Sequence, residues 1–243
     1  MQHAETHKIL HRTQFGSRKG KMAISAVLLK RLSYDIMRQT RMDACVFDND
    51  AKACYDRMIA SITMIMSRRA GMPREAAFVL LTLLLRMKYF VRTAYGLASE
   101  PFSNLIKWLL GVMQGGGHSG CLWALTSSIM LDQMEHTTGT TFHSPHPTRG
   151  CKQIGEAFVD DTLLWVLQLG MLITTATTIM GASAQRWERL LYATGGALNL
   201  SKCFWYGIEW NFTPAGEPKM VNMLNDGPQI QLTAGSDHHL QMI

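Results

Sequence analysis

The spacing of apolar and polar positions along the chain predicts short strands mixed with helices. The stretch ACVFDND (44–50) begins apolar and ends acidic, which predicts a short strand. IGEAFV (154–159) and TLLWV (162–166) predict two further strands, and FWYGIEW (204–210) predicts aromatic strand material. Because these strands come as hairpins, and not in regular alternation with helices, the pattern predicts an α+β fold with an antiparallel sheet.

Apolar residues recur at helical spacing in the segments between these strands. Pro73 and Glu75 favour a helix start, because proline is tolerated in a first helical turn. A small hairpin is predicted over 89–102, and the polar stretch 137–150 is predicted to be a surface loop. Predicted helices cover 51–66, 71–87, 121–134 and 182–192, and an amphipathic helix after residue 21 carries Ala23, Val27, Leu28, Leu32 and Ile36.

Length and composition favour a folded domain without a membrane span. The chain has 243 residues and a hydrophobic fraction of 47%, which suffices for one sizeable core. Residues 162–185 carry no charge, but they are rich in Thr, Gly, Ala and Gln, whereas a spanning helix is more uniformly apolar. The five cysteines show no close pairing, which indicates free thiols in a reducing, intracellular compartment.

The positive charge is concentrated at the N-terminus. Residues 1–42 hold nine basic and two acidic residues, a charge of +7, so the remainder carries −1 of the total of +6. A basic lobe on a near-neutral body is the footprint expected of a polyanion binder. A solvated basic helix face explains the same charges equally well.

Asp160 and Asp161 stand between two predicted strands, in the place of a hairpin turn. A two-residue hairpin loop favours Asn-Gly or Asp-Gly, so Asp-Asp is either an incidental exposed turn or a pair that faces a cation. Asp50 ends another predicted strand, just before a helix, and could meet the pair across adjacent strands. Three carboxylates without a nearby His/Cys set favour Mg²⁺ over zinc, and two such ions can clamp the oxygens of a phosphoryl transfer.

A competing zinc reading rests on the polar stretch that follows residue 135. His136, His143, His146 and Cys151 lie there, but their spacing matches no zinc pattern, and the loop is rich in Pro, Ser and Thr. Zinc therefore stays the weaker of the two metal readings.

Five segments stand in one order along the chain: QFGSRKGK (14–21), DAKACYD (50–56), GVMQGGGHSG (111–120), AFVDD (157–161) and GGALNLSK (195–202). Together they resemble motifs of the reverse transcriptases of non-LTR retrotransposons and group II introns. The resemblance runs from about residue 14 to residue 210. Ser17 departs from the family's usual Phe, and Met113 and Gly120 replace two prolines of its glycine-loop motif.

The resemblance implies a catalytic centre for RNA-directed DNA synthesis. Asp50, Asp160 and Asp161 would bind two Mg²⁺ ions, with Mn²⁺ as the alternative ion. Tyr55 would be a steric gate against the ribose 2′-hydroxyl. Lys202 would protonate the leaving pyrophosphate or offset its charge, and a structural lysine is nearly as good a reading.

The remaining family positions would contact the nucleotide. The partners implied are an RNA template, a DNA primer and a deoxynucleoside triphosphate. Arg18, Lys19 and Lys21 would hold the triphosphate or the template backbone, unless they are simply solvated loop charges. Gln114 and Gly115 would lie beside the incoming base pair, where a small residue lets the backbone approach.

The fold implied is a right-hand polymerase palm with partial fingers and an absent or truncated thumb. Residues 1–42 would belong to the fingers, 43–210 to the palm with a finger insertion at about 67–105, and 211–243 to a linker toward the thumb. Two other readings stay open. One is a catalytically inactive nucleic-acid-binding remnant, and the other is a metal-dependent phosphohydrolase, for which the sequence offers no evident water-activating base.

Overall fold

The structure, a computed structural model, describes residues 1–103, 111–143, 150–167, 170–220, 230–232 and 241–242. A twisted sheet and the helices packed on it make up most of these residues. The strands are β1 (Ala44–Asp50), β2 (Lys88–Tyr89), β3 (Arg92–Thr93), β4 (Gly96–Leu97), β5 (Phe102–Ser103), β6 (Thr140–His143), β7 (Gly150–Gln153), β8 (Gly155–Phe158), β9 (Asp161–Leu167), β10 (Phe204–Ile208), β11 (Trp210–Phe212), β12 (Pro218–Met220) and β13 (Gln241–Met242). The helices are α1 (Gln2–Thr6), α2 (Ala23–Thr40), α3 (Cys54–Arg57), α4 (Ala60–Arg69), α5 (Arg74–Arg86), α6 (Ser119–Glu135) and α7 (Ile173–Ala193), with a 3₁₀ turn at Leu200–Lys202.

The main sheet has the strand order β13-β10-β1-β9-β8. The central strand β1 pairs antiparallel with both β9 and β10, and β8 pairs antiparallel with β9. The short contact of β13 with β10 is parallel, as is a single bridge between Gln14 and Ala157 of β8. The prediction of an α+β fold with an antiparallel sheet is therefore confirmed.

Alternating side chains of β1 supply two cores, one on each face of the sheet. Cys45 and Phe47 belong to the larger core, together with residues of α6 and α7. Ala44 and Val46 lie on the opposite face, where they pack with Trp165 in a smaller core. Both faces of β1 are thus buried, which explains why its first residues are continuously apolar and do not alternate with polar ones.

Helix α2 forms where it is predicted, but its apolar stripe faces outward. Val27, Leu28 and Leu32 are each more than half exposed, as is Ile24. The face that packs inward carries Ala26, Ser33 and Met37, which are buried. Because two of these side chains are small, the helix backbone can approach the sheet closely, and helical spacing alone does not show which face does so. Ala23 and Ile36 of the predicted set are exposed as well.

The predicted single helix over 51–66 is wrong, because the chain forms α3 and α4 with a break at Met58–Ile59. The break is fixed by a tertiary contact, in which the Ile59 backbone N–H donates to the carbonyl of Thr194 at 2.9 Å. Gly195 follows with φ of +94°, and a Cβ there would lie 2.3 Å from the carbonyl oxygen of Arg57. The close approach of these two segments therefore requires glycine at this position.

The other predicted elements are mostly confirmed. The hairpin within 89–102 is formed by β3 and β4, α6 covers its predicted range, and α5 lies within its predicted range but begins three residues later. The predicted surface loop at 137–150 is wrong in part, because β6 and β7 pair there. Helix α7 begins at Ile173, nine residues before its predicted start. No helix in the described ranges is long and apolar enough to cross a bilayer, and all five cysteines are free thiols.

Candidate active site

The three predicted metal-binding aspartates lie at the end of the β1–β9–β8 ladder. Asp50 ends β1 and stands directly opposite Asp161, the first residue of β9. Asp161 also pairs with Phe158 of β8, so the two residues of the hairpin turn are Val159 and Asp160. The predicted hairpin is confirmed, but the predicted turn is displaced by one residue, because Asp161 already belongs to a strand.

The turn has an unusual backbone that other elements hold in place. Val159 has φ of +60°, which is costly for a β-branched residue. Its carbonyl accepts hydrogen bonds from the indole N–H of Trp123 on α6 and, at 3.5 Å, from Nε2 of the buried Gln14. Gly16 lies so close that a Cβ there would be 2.3 Å from the Val159 nitrogen. The N-terminal segment and α6 therefore fix the position of Asp160.

Asp50 is held by the segment that follows α7. Its Oδ2 accepts a hydrogen bond from Asn199 Nδ2 at 2.9 Å and lies 3.5 Å from Lys202 Nζ. The Asn199 backbone N–H also donates to the Asp50 carbonyl, at 2.9 Å. The Lys202 side chain is 67% exposed, so its ion pair with Asp50 is screened by water and adds little to stability.

A buried asparagine next to Asp50 fixes the end of β1. The Asn49 side chain donates to the carbonyl of Thr162 on β9 and accepts from the indole N–H of Trp187 on α7, both at 2.8 Å. These two bonds satisfy the buried amide and connect β1 with β9 and α7. The carboxylate of Asp50 therefore projects from a rigid strand end.

The electrostatics of the turn favour a cation. Burial is the main cause that raises the pKa of Asp160, and the charges of Asp161 and Asp50 raise it further, whereas Lys202 lowers it. The oxygen-only donor set of these aspartates suits Mg²⁺, which would relieve their repulsion. The structure does not gather one oxygen from each of the three within 4.8 Å, since among the described residues only His11, Asp132 and Glu135 form such a trio.

The glycine loop lies against α3 beside the aspartates. The Val112 N–H donates to the carbonyl of Tyr55 at 2.8 Å, and the Gln114 N–H donates to Oδ1 of Asp56 at 3.3 Å. Tyr55 is half-buried, and its pKa is raised by burial first and then by the charges of Cys54 and Asp160. Gln114 and Gly115 are exposed, and the loop's contacts with Tyr55 and Asp56 hold it against the helix whose Tyr55 feels the charge of Asp160.

The structure engages Arg18 in contacts within the N-terminal segment, and its predicted role at a phosphate stays a prediction. Its guanidinium forms a bidentate ion pair with Glu5, at 2.9 and 2.7 Å, and its Nη1 donates to the carbonyls of His11 and Gln14. This buried pairing leaves little of the guanidinium for a phosphate, and sequence spacing gave no sign of the Glu5 contact. Lys19 and Lys21 are exposed and remain candidates for that role.

The zinc reading gains no support from the residues that the structure describes. His143 and Cys151 lie on the β6–β7 hairpin, and His136 follows α6. His146 lies outside the described residues. In the described ranges these side chains do not form a trio of metal-ligating atoms within 4.8 Å.

The sequence did not predict three hydrogen bonds around the site. Asn199 donates to Asp50, Asp56 accepts from the glycine loop, and Trp123 donates to the hairpin turn. The first had a usable signal, because Asn199 and Lys202 stand three residues apart in GGALNLSK and both reach Asp50 Oδ2. The other two join segments far apart in the sequence and leave no local pattern. The roles of all the named site residues stay predictions.

The fold is similar to that of telomerase structures from two Candida species. Apo telomerase from Candida tropicalis, truncated from its C-terminal domain, aligns with a TM-score of 0.56 and 12% identity, over 86% of this chain and 41% of that one. Telomerase from C. tropicalis with a TWJ fragment of telomeric RNA aligns with a TM-score of 0.52 and 12% identity, over 90% of this chain and 35% of that one. The corresponding complex from Candida albicans aligns with a TM-score of 0.53 and 13% identity, over 94% of this chain and 34% of that one.

These similarities establish a reverse-transcriptase-like fold. At such identities they show the fold alone, and the chain spans about two-fifths or less of each telomerase chain. No protein-family model matches the chain, and no curated protein matches it. The activity must therefore be argued from the site.

Proposed function

We propose that this chain is an RNA-directed DNA polymerase domain, the fingers and palm of a retroelement reverse transcriptase. The observation that carries the proposal is the register of β1 and β9, which sets Asp50 opposite Asp161 with Asp160 in the adjoining turn. This acidic strand end lies beside Tyr55 and the glycine loop, on a fold similar to telomerase. The non-LTR or group II intron assignment rests on the form of the sequence motifs.

The acidic strand end would hold the metal and the reacting phosphates. Asp50, Asp160 and Asp161 would bind Mg²⁺, which supplies activation of a primer 3′-hydroxyl and charge neutralisation on the triphosphate. Lys202 lies 3.5 Å from Asp50 Oδ2, on an exposed side chain that can turn toward the leaving pyrophosphate and offset its charge. The fixed turn and the Asn49 bonds keep two of the carboxylates oriented before substrate arrives.

The neighbouring elements would select and position the nucleotide. Tyr55 projects from α3 beside Asp160 and would crowd a ribose 2′-hydroxyl, which favours deoxynucleotides. Gln114 and Gly115 would lie under the incoming base pair, and the exposed Lys19 and Lys21 would contact phosphates of the triphosphate or template. Two of the similar telomerase structures contain an RNA fragment, which supports RNA as a partner of this fold.

The second candidate is an inactive nucleic-acid-binding remnant. In the described residues the three carboxylates do not bring one oxygen each within 4.8 Å of the others, which favours the remnant. The retained aspartates and their ordered surroundings favour catalysis.

A primer-extension assay on an RNA template distinguishes the two candidates. We expect the chain to extend a DNA primer with deoxynucleotides when Mg²⁺ or Mn²⁺ is present and to stop when EDTA is added. RNA binding without extension, at any divalent ion concentration, would refute the polymerase proposal and support the remnant.

A further inference from the structure

A second group of metal-ligating side chains lies where the N-terminal segment meets the end of α6. His11 Nε2 lies 3.4 Å from Glu135 Oε2 and 3.9 Å from Asp132 Oδ1. One ligand atom from each residue falls within 4.8 Å of the others. The nucleotidyl-transfer site proposed above uses none of these three residues.

The histidine nitrogen at the centre of this group is buried and forms no hydrogen bond within the described part of the chain, although both carboxylates lie within ion-pair distance of it. The His11 side chain is 3% exposed, and Nε2 has no hydrogen-bond partner among the described residues. A buried polar nitrogen without a hydrogen bond is unfavourable, and a cation held between Nε2 and the two carboxylates would satisfy all three groups. The 3.4 Å gap to Glu135 is longer than a normal N–H···O bond of about 2.9 Å.

The distance from His11 to Glu135 fits one edge of a metal tetrahedron. Zinc bonds of about 2.0–2.2 Å to histidine nitrogen and carboxylate oxygen imply ligand-to-ligand distances of about 3.3–3.6 Å. The His11–Glu135 distance lies in this range, and the His11–Asp132 distance of 3.9 Å exceeds it by a few tenths of an ångström. Asp132 and Glu135 project from the same face of α6, because they stand three residues apart on one helix.

The outer contacts also suit a ligating histidine. His11 Nδ1 lies 2.7 Å from Thr13 Oγ1, so Nδ1–H can donate to that hydroxyl and leave the lone pair of Nε2 facing the carboxylates. The Thr13 backbone N–H donates to Nδ1 at 3.3 Å in the tautomer that carries its proton on Nε2. Metal binding at Nε2 requires the other tautomer, in which the Nδ1–H bond to Thr13 Oγ1 replaces this contact. Arg12 binds Oε1 of Glu135, which orients that carboxylate and leaves Oε2 toward His11.

The site is open on one side. Asp132 is 51% exposed and Glu135 is 29% exposed, and both line a surface cleft of about 360 Å³ together with His11. Three protein ligands and an accessible fourth position are the arrangement of an open zinc site. The imidazole distinguishes this group from the oxygen-only aspartates at the strand ends, because it suits transition-metal ions better than Mg²⁺.

We propose that His11, Asp132 and Glu135 bind one divalent transition-metal ion of the zinc class, with water in the fourth position. The ion connects the N-terminal segment with the C-terminal end of α6. That segment also carries Gln14 and Gly16, which contact the Val159 turn, so the ion stabilises the N-terminal support of the turn.

The test is a titration of the metal-stripped chain with Co²⁺ and then Zn²⁺, in excess Mg²⁺ that occupies the aspartate site. The exposed thiol of Cys151 is replaced by Cys151→Ser in every sample, because thiolates also bind zinc. We expect one Co²⁺ site with the visible absorption of tetrahedral cobalt, displaced by Zn²⁺, and a melting temperature that rises with added Zn²⁺.

Variants decide whether these residues are the ligands. His11→Gln and Asp132→Asn should each weaken Zn²⁺ binding by at least about 10–100-fold and abolish the Zn²⁺-dependent rise in melting temperature. Asp132 is the most exposed member, so its Asn variant keeps the fold if His11→Gln does not. His143→Gln, an exposed histidine outside the group, is the matched control and should bind as the parent does. Absence of Zn²⁺ binding in the parent, or unchanged binding in Asp132→Asn, would overturn the proposal.

Discussion

The stability of this protein should depend on the protonation of Glu156, a buried acid beside the candidate active site. Glu156 is 7% exposed, and its Oε2 has no hydrogen-bond partner among the described residues. Its pKa is raised from 4.5 to about 8; burial is the main cause, the charge of Lys30 opposes it, and the charge of Asp48 adds to it. The side chain is therefore protonated in the folded protein near neutral pH.

The sign of the effect follows from this raised pKa. The unfolded chain loses the Glu156 proton near pH 4.5, whereas the folded chain keeps it until about pH 8. The stabilisation is complete below pH 4.5 and is lost as the pH rises from 4.5 to 8. At about 1.4 kcal/mol for each pH unit, the free energy of unfolding should fall by up to about 4 kcal/mol between pH 5 and pH 9.

Urea unfolding at pH 5, 7 and 9 measures this dependence directly. Glu156→Gln replaces the acid with a neutral group of the same shape. The decrease in unfolding free energy that Glu156 causes between pH 5 and pH 9 should therefore be absent in this variant. Relative to the wild type, the free energy of unfolding of Glu156→Gln should therefore rise by up to about 4 kcal/mol between pH 5 and pH 9. Glu217→Gln, at an exposed glutamate, is the control and should follow the wild type. Parallel curves for wild type and Glu156→Gln would refute the reasoning.

Three further predictions concern the support and the chemistry of the site. Gly16→Ala should lower the free energy of unfolding, measured in urea, by about 1–3 kcal/mol, because the added Cβ meets the Val159 backbone. The control Gly181→Ala lies in open space on α7 and should be neutral or stabilising. Equal effects of the two variants would contradict the close approach of Gly16 to Val159. In primer extension, Tyr55→Ala should raise the ratio of ribonucleotide to deoxynucleotide incorporation, whereas Tyr55→Phe should keep it low. An unchanged ratio in Tyr55→Ala would refute the steric-gate role of Tyr55. Lys202→Ala should slow single-nucleotide incorporation by about 10²-fold or more, and a wild-type rate would leave Lys202 with a structural role.

The sheet and the acidic strand ends could be predicted because their signals are local. A strand that is apolar and then acidic, and a hairpin with aspartates at its turn, reveal themselves within a few residues. The spacing of Asn199 and Lys202 likewise lies within one motif, and both side chains reach Asp50.

The faces and partners of the elements could not be predicted, because they depend on contacts between distant segments. Helical spacing marked the apolar stripe of α2, but the small Ala26 and Ser33 decide which face packs inward. The ion pair of Arg18 with Glu5 gave no pattern in a loop that resembles a phosphate-binding motif. The group around His11 joins residues more than a hundred positions apart.

The most direct test of the central proposal is single-nucleotide incorporation on an RNA-templated primer by Asp160→Asn. The variant removes one charge from the strand end without changing the shape of the turn, and RNA binding and circular dichroism are recorded in parallel. Asp35→Asn, at an acid of α2 with surface ion pairs only, is the matched control. We predict that Asp160→Asn folds, binds RNA and loses incorporation by about 10²-fold or more while the control incorporates as the wild type does. Wild-type incorporation by a folded Asp160→Asn variant would contradict the account.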